Sequence, residues 1–181
     1  MLKYCSVGKG ASMRASAIAV ALLLIGLSAS AQTTGDAVER CNGDDPDLVI
    51  AGCSQLIQSG QAMDLSPVYV NRAGAYIRRG LADQAIDDYT KAIALRPYEA
   101  PPYSGRCIAY LTKHHFDQAI ADCSRAIAIK PDYGPAYNNR GGAYESKGDR
   151  GRAIADYRMV LKLDPDNRSA AINLKRLGGA P

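Results

Sequence analysis

The apolar positions of this chain recur. From Ser66 to Asn167 the same polar and apolar columns return at one constant interval without an insertion. Tyr69, Tyr103 and Tyr137 share one column, and Tyr76, Tyr110 and Tyr144 share another. Ala73, Cys107 and Gly141 fill a column of small residues, and Ala85, Ala119 and Ala153 fill a second. Ile86, Ile120 and Ile154 come next, followed by Tyr89, Cys123 and Tyr157; Pro97, Pro131 and Pro165 close the three units. A period of this length marks stacked units of secondary structure, none of which buries its apolar face alone.

Each unit predicts two helices. Pro67, Pro101 and Pro135 fall where a first helical turn accepts proline without losing a useful donor. The first helix runs through both tyrosine columns and stops near Gly80, His114 and Gly148. Gly is the usual left-handed residue past a helix end, and His is among the few others that tolerate it. In the second helix, such as Asp83 to Leu95, Ala85, Ile86, Tyr89, Ala92 and Ile93 form one apolar stripe at helical spacing. The small columns let the paired helices approach closely, and the tyrosines fill the space between hairpins.

Both ends depart from the period. Residues 32–65 read as a divergent hairpin: Asp36 to Cys41, a turn at Asn42-Gly43-Asp44, then Pro46 to Gln58 with Leu48, Val49, Cys53, Leu56 and Ile57 as its apolar stripe. Beyond Asn167 one more helix, residues 168–177, continues with Ala171 and Leu174. Lys175 then falls in the small column, where a charged chain cannot lie under a packed second helix, so this helix is a solvating cap. Residues 178–181 are expected to form a disordered tail.

The run Y-x-x-R-[AG]-x-A-Y in Tyr69 to Tyr76, closely repeated in Tyr137 to Tyr144, resembles the tetratricopeptide repeat. So do the A-I-x-D-[YC] segments and the closing prolines. The resemblance covers 66–99, 100–133 and 134–167. It implies an all-α fold, a right-handed superhelix of antiparallel helix pairs whose first helices line a concave groove. It is specific for fold and says little about function.

By that register the groove residues include Val70, Asn71, Gly74, Ile77 and Arg78 in the first unit. Ser104, Gly105, Ile108, Leu111 and Thr112 follow, then Asn138, Asn139, Gly142, Glu145 and Ser146, with Ile172, Asn173 and Arg176 from the cap. Asn71, Asn139 and Asn173 share a column, with Gly105 in the fourth place. Asn carries donor and acceptor, so a spaced row can pair with the backbone of an extended peptide. Some members of the family bind peptides through such a row; the alternative is that these side chains are simply solvated. Asn71, Arg78, Asn138, Asn139 and Asn173 are the peptide-binding candidates. The Lys-and-Asn clamp that other members use for chaperone C-terminal carboxylates is not matched, because Gly74, Ile108 and Gly142 occupy a column where it wants Asn.

Arg72, Arg106 and Arg140 also recur, preceding Asp88, Asp122 and Asp156 by the same interval in each unit. A matching acid in every unit predicts structural pairs tying first helices to second helices. The alternative places the arginines in the groove against ligand carboxylates.

Residues 1–31 change the reading of charge and compartment. They hold Lys3, Lys9 and Arg14 and no acid, then an apolar stretch from Ala15 to Leu27, then Ala29-Ser30-Ala31. These are the parts of a secretory signal cleaved before Gln32. Met13 to Ala31 alone makes a compact signal, so either Met1 or Met13 serves as a start. The competing reading, a membrane anchor, needs about 20 apolar residues, and this run is shorter. The whole chain is +4, with 22 Lys and Arg against 18 acids. Removing three basic residues with the signal leaves +1, too little for a long-range pull on nucleic acid or acidic membranes. The mature protein is therefore expected in the periplasm or secreted, with no further membrane span.

Cys41, Cys53, Cys107 and Cys123 remain after the signal is removed, an even number in an oxidising compartment. Cys41 and Cys53 lie on opposite arms of the first hairpin, and Cys107 and Cys123 on the first and second helices of one unit. Each pair faces across a hairpin, where cross-linking distances are feasible. Similar Cys pairs are familiar in exported bacterial members of the family. Each bridge adds about 3 kcal/mol in the chain-entropy model. Buried free thiols are the alternative; redox chemistry and zinc have weaker claims, since neither C-x-x-C spacing nor a ligand cluster occurs.

Other chemistry finds little support. His114 and His115 are adjacent in a turn and do not converge on one ion, and Asp87 and Asp88 diverge on a helix. No Gly-rich phosphate loop or nucleophile elbow is present. The expectation is a non-enzyme without cofactor or metal, holding another protein or peptide; a structural or self-associating module is the second reading. Protein purified from outside the cytoplasmic membrane should begin at Gln32 and yield no titratable thiol without reductant. Four titratable thiols would remove the disulfide argument.

Overall fold

A computed structural model of the protein describes residues 34–60 and 62–179. The expected signal, residues 1–31, lies outside the described residues, as do Ala180 and Pro181 of the expected tail. Nine helices and no strand occur among the described residues. They are α1 (34–41), α2 (Pro46–Ser59), α3 (Ser66–Arg78), α4 (Ala82–Leu95), α5 (Ala100–Thr112), α6 (Phe116–Ile129), α7 (Gly134–Ser146), α8 (Arg150–Leu163) and α9 (Arg168–Arg176).

The helix ends follow from local chemistry. Proline sits in the first turn of α3, α5 and α7. Each of these helices ends at a residue of positive φ: Gly80 (73°), His114 (58°) and Gly148 (79°). His114 therefore does in the middle unit what glycine does in its neighbours, at some conformational cost. Asp45 caps α2 by accepting from the N–H groups of Asp47 and Leu48.

The most extensive contacts are within the hairpins α3–α4, α5–α6 and α7–α8. Each second helix then packs on the first helix of the next unit, through to α8 on α9. The first helices α3, α5 and α7 also touch in succession, and the second helices do not pack on one another comparably. The stack is therefore a helix-pair solenoid, tighter along its first helices, which form the concave side.

Small residues make the close approach within hairpins. Ala73, Ala85, Cys107, Ala119 and Ala153 are all fully buried. Opposite the small column of the first helices lie Tyr89, Cys123 and Tyr157, and the volumes compensate. Tyr157 lies against Gly141, where a Cβ would stand 2.9 Å from its ring. Ala73 leaves less room in its unit, and Tyr89 lies instead across Gly105 of the next helix, where a Cβ would run into the ring at Cζ. In the middle unit the Cys107–Cys123 disulfide, Cα–Cα 5.6 Å, takes the place of a tyrosine against a small residue. The Cys41–Cys53 disulfide, Cα–Cα 4.7 Å, closes the α1–α2 hairpin.

Hydrogen bonds fasten unit to unit. The hydroxyls of Tyr103 and Tyr137 donate to the carbonyls of Pro97 and Pro131, which end the preceding units. Nε of Arg72, Arg106 and Arg140 donates to Asp88, Asp122 and Asp156 at 2.6, 2.7 and 2.9 Å. Nη2 of each donates to the other carboxylate oxygen at 2.9, 2.9 and 2.8 Å. Nη1 reaches back to Ser54, Thr90 or Ser124 on the preceding second helix. The arginines are thus structural, and the groove alternative for them is set aside. Each guanidinium also lies within about 6 Å of both tyrosines of its unit, the range of a cation–π contact. Tyr76, Tyr110 and Tyr144 are accordingly half-buried.

Three expectations need correction. Leu48, assigned to the apolar stripe of α2, is 51% exposed, because the buried face is Val49, Gly52, Cys53 and Leu56. In α9 it is Ala170, not Ala171, that is buried with Leu174. Gly178 and Gly179 are not a disordered tail: Gly178 takes φ 64°, and their N–H groups donate to Lys175 and Leu174, ending α9.

Replacing Arg106 or Asp122 singly with Ala should cost about 3 kcal/mol or more, because each leaves a largely buried charge unpaired. Their double replacement should cost at least about 1 kcal/mol less than the sum in urea unfolding; purely additive losses would contradict the pairing. Gly105→Ala should destabilise by about 1–3 kcal/mol through overpacking. In a Tyr89→Leu background the same change should be neutral or stabilising by up to about 1 kcal/mol, since Ala is the better helix former.

Candidate functional site: the concave groove

The groove is built on the exposed faces of α3, α5, α7 and α9. Its polar row is partly committed to the protein itself. Asn71 Nδ2 donates to the Cys41 carbonyl at 3.3 Å and to Asn42 Oδ1 at 2.9 Å, fastening α3 to the first hairpin. Asn139 Nδ2 donates to Ser104 Oγ at 3.3 Å. Asn173 Oδ1 accepts from Arg176 at 3.2 Å. Gly105 interrupts this row because Tyr89 occupies the space a side chain would need. Ser104, assigned to the groove wall, is instead buried beneath Asn139 at 3% exposure.

Charge is unevenly distributed along the groove. Arg78 is exposed and takes part in no ion pair among the described residues. Near the other end Arg176 forms a bidentate pair with Glu145, and Tyr157 donates to the same carboxylate at 3.2 Å. Hydrogen bonding from Arg176 holds the Glu145 carboxyl below its usual range. Burial pushes the Tyr157 hydroxyl up to about 12, and the Glu145 charge adds to the effect. Burial likewise pushes Tyr89 up to about 12, with Arg78 pulling the other way. Both hydroxyls therefore stay protonated at neutral pH. They lie beneath Gly74 and Gly142, 3.9 Å from where a Cβ would stand. The tyrosine column was visible in the sequence; that its hydroxyls end under groove glycines was not.

Two cavities adjoin the candidate residues. One, of about 440 Å³, lies among Cys41, Asn42, Val70, Asn71, Arg78 and Tyr89. The other, of about 530 Å³, lies where α5, α7 and α8 meet the start of α9, and it is lined by Asn138 and Asn139 among others. The structure thus brings Asn71 and Arg78 to one cavity and Asn138 and Asn139 to another, with Asn173 at neither. The four cysteines are all bonded and buried, and of them Cys41 lines the smaller of these two cavities. His114 and His115 pack beside Phe116 and Tyr110 at the end of α5. Among the described residues no group of three or more His, Cys, Asp or Glu is placed to hold a metal ion. None of the described helices is long and apolar enough to cross a membrane.

Known proteins share this arrangement. Models of the tetratricopeptide repeat match residues 66–99 and 134–167. The TPR domain of Arabidopsis OM64 is 35% identical, with a TM-score of 0.62 over 62% of this chain and 93% of that one. The first TPR domain of human RPAP3 is 33% identical, with a TM-score of 0.62 over 62% of this chain and 89% of that one. The first TPR of Spaghetti (RPAP3), bound to the HSP90 peptide SRMEEVD, is also 33% identical, with a TM-score of 0.61 and 62% and 90% coverage. No curated protein matches the chain. On its repeat pattern, its stacked hairpins and these likenesses, the chain belongs to the tetratricopeptide-repeat family.

Proposed function

We propose that this protein is an exported adaptor that holds an extended or helical segment of a partner protein in its concave groove. The observation that carries the reading is the coincidence of cavities and unspent polar groups on one face. Asn71 and Asn139 each donate inward, and among the described residues their Oδ1 atoms and the Arg78 charge remain unmatched. Such groups bond an extended backbone or a side chain at little reorganisation cost. Relatives support it: the RPAP3 domains carry HSP90 and HSP70 peptides ending in EEVD. The guest is expected to differ here, since Gly74, Ile108 and Gly142 stand where a carboxylate clamp wants Asn. The basic, apolar and small-residue segments of residues 1–31 and the two disulfides support export to the periplasm or beyond.

A second reading, a self-associating scaffold, has its own support. Residues 34–60 carry Asp36, Glu39, Asp44, Asp45 and Asp47 against Arg40 alone, whereas α9 carries Arg168, Lys175 and Arg176 and no acid. Oppositely charged ends favour head-to-tail contact. The two readings separate on a peptide array read beside sedimentation equilibrium. Under the adaptor reading, Arg78→Glu together with Asn71, Asn139 and Asn173→Ala weakens peptide capture at least about tenfold, a loss of about 1.4 kcal/mol, with the helical circular-dichroism signal retained. Unchanged capture, or salt-sensitive self-association and no capture, would sink it.

A further inference from the structure

Resting on the groove reading, we propose that the cavity where α5, α7 and α8 meet the start of α9 is a subsite for one basic side chain, Lys or Arg, of the bound segment. Its lining carries Asp132 and Asp164 and no Lys, Arg or His. Neither carboxylate takes part in an ion pair among the described residues, whereas Glu145, which does not line this cavity, is matched by Arg176. Asp164 is positioned without being neutralised: it accepts from the Asp166 N–H at 3.3 Å and from Asn167 Nδ2 at 3.1 Å. It also stands at the C-terminal end of α8, where the helix dipole adds negative potential.

The helix N-termini that approach the same cavity do not reverse this preference. Pro135, in the first turn of α7, has no N–H to offer. At α9 the side chain of Asn167 already accepts from the Ala170 N–H. An anion would therefore meet two carboxylates and few free donors.

The remaining walls suit the rest of a long basic side chain. Ile108, Val160 and Leu163 supply apolar surface for a methylene stem, which Lys and Arg bury readily while their heads stay polar. Asn138 adds an acceptor. Its Oδ1 is shielded from solvent and has no hydrogen-bond partner. Rotation about the soft terminal torsion turns this oxygen into the cavity, where an ammonium or guanidinium donor satisfies it. A volume of about 530 Å³ accommodates one such side chain with bridging water. The polarity is opposite to that of a site for an acidic chain end.

The test pans a random phage-displayed dodecapeptide library on the full-length mature protein and measures resynthesised binders by fluorescence anisotropy. Binders should share a Lys or Arg at fixed spacing, and its replacement by norleucine should weaken binding roughly tenfold or more. Asp132→Asn and Asp164→Asn should weaken the parent peptide comparably and leave the norleucine peptide unaffected. Asp132→Asn by itself keeps the test sound, since Asp132 is exposed and its side chain holds none of the described residues in place. Binders that respond to the Arg78 and Asn replacements but lack a shared basic residue, or show no coupling to Asp132, overturn the subsite and leave the groove reading standing. A library that yields no groove-dependent binder overturns both.

Discussion

The bidentate pair between the arginine of each first helix and the aspartate of the second helix beside it is the contact on which the solenoid depends. A guanidinium is a planar fork with donors in fixed directions, so it fits one arrangement of its surroundings and rejects the rest. Here two donors take the aspartate of the same hairpin, and a third takes Ser54, Thr90 or Ser124 on the hairpin before. Its faces approach the two tyrosines of the unit. One side chain thus ties three helices and two units together. The ion pairs are largely buried, with side-chain exposures of 14 and 3% for Arg72 and Asp88. A buried pair adds less net stability than its geometry implies, because both charges are desolvated. Its larger effect is on register, since a slip of one residue along a helix would strand both charges.

The packing beside these pairs works by exchange of volume. A tyrosine lies against a small residue in two units, and a disulfide joins two small residues in the third. The exchange is not confined to the core. Tyr89 leans across Gly105 and so removes one member of the groove's asparagine row, while Cys123 leaves the corresponding place in the next unit open for Asn139. Core composition in one unit therefore edits the concave surface of the next.

That coupling shapes the chemistry of the concave face. Of its polar groups, Asn71 secures the first hairpin, Asn173 assists Arg176, and Arg176 neutralises Glu145. Among the described residues the groups left unmatched on this face are local: Arg78 toward the first hairpin, Oδ1 of Asn71 and of Asn139, and the Asp132 and Asp164 carboxylates, which form no ion pair, beside α9. A family fold with a shared concave surface thus acquires a charge pattern of its own, set by a few side chains.

The order of elements was legible in the sequence because it rests on local and periodic causes. Proline in first turns, Gly80, His114 and Gly148 at helix ends, and columns at a constant spacing each act through neighbours in the chain or through simple repetition. The Arg–Asp pairs were legible for the same reason, since the acid recurs with the base. The ends were harder. Leu48 lies at the edge of the buried face of α2, and a single repeat offers no column to average over. The groove was the least legible part. Whether Asn71 is free or spent depends on where Cys41 and Asn42 come to rest, and the fate of Gly105 depends on Tyr89 of the preceding unit. Asp132 and Asp164 lie in connections that sequence patterning marks only as polar; their meeting beside Asn138 follows from how α9 is laid on α8. Periodicity encodes which helices form and pair, whereas the identity of an exposed site is decided by contacts between residues that no period relates.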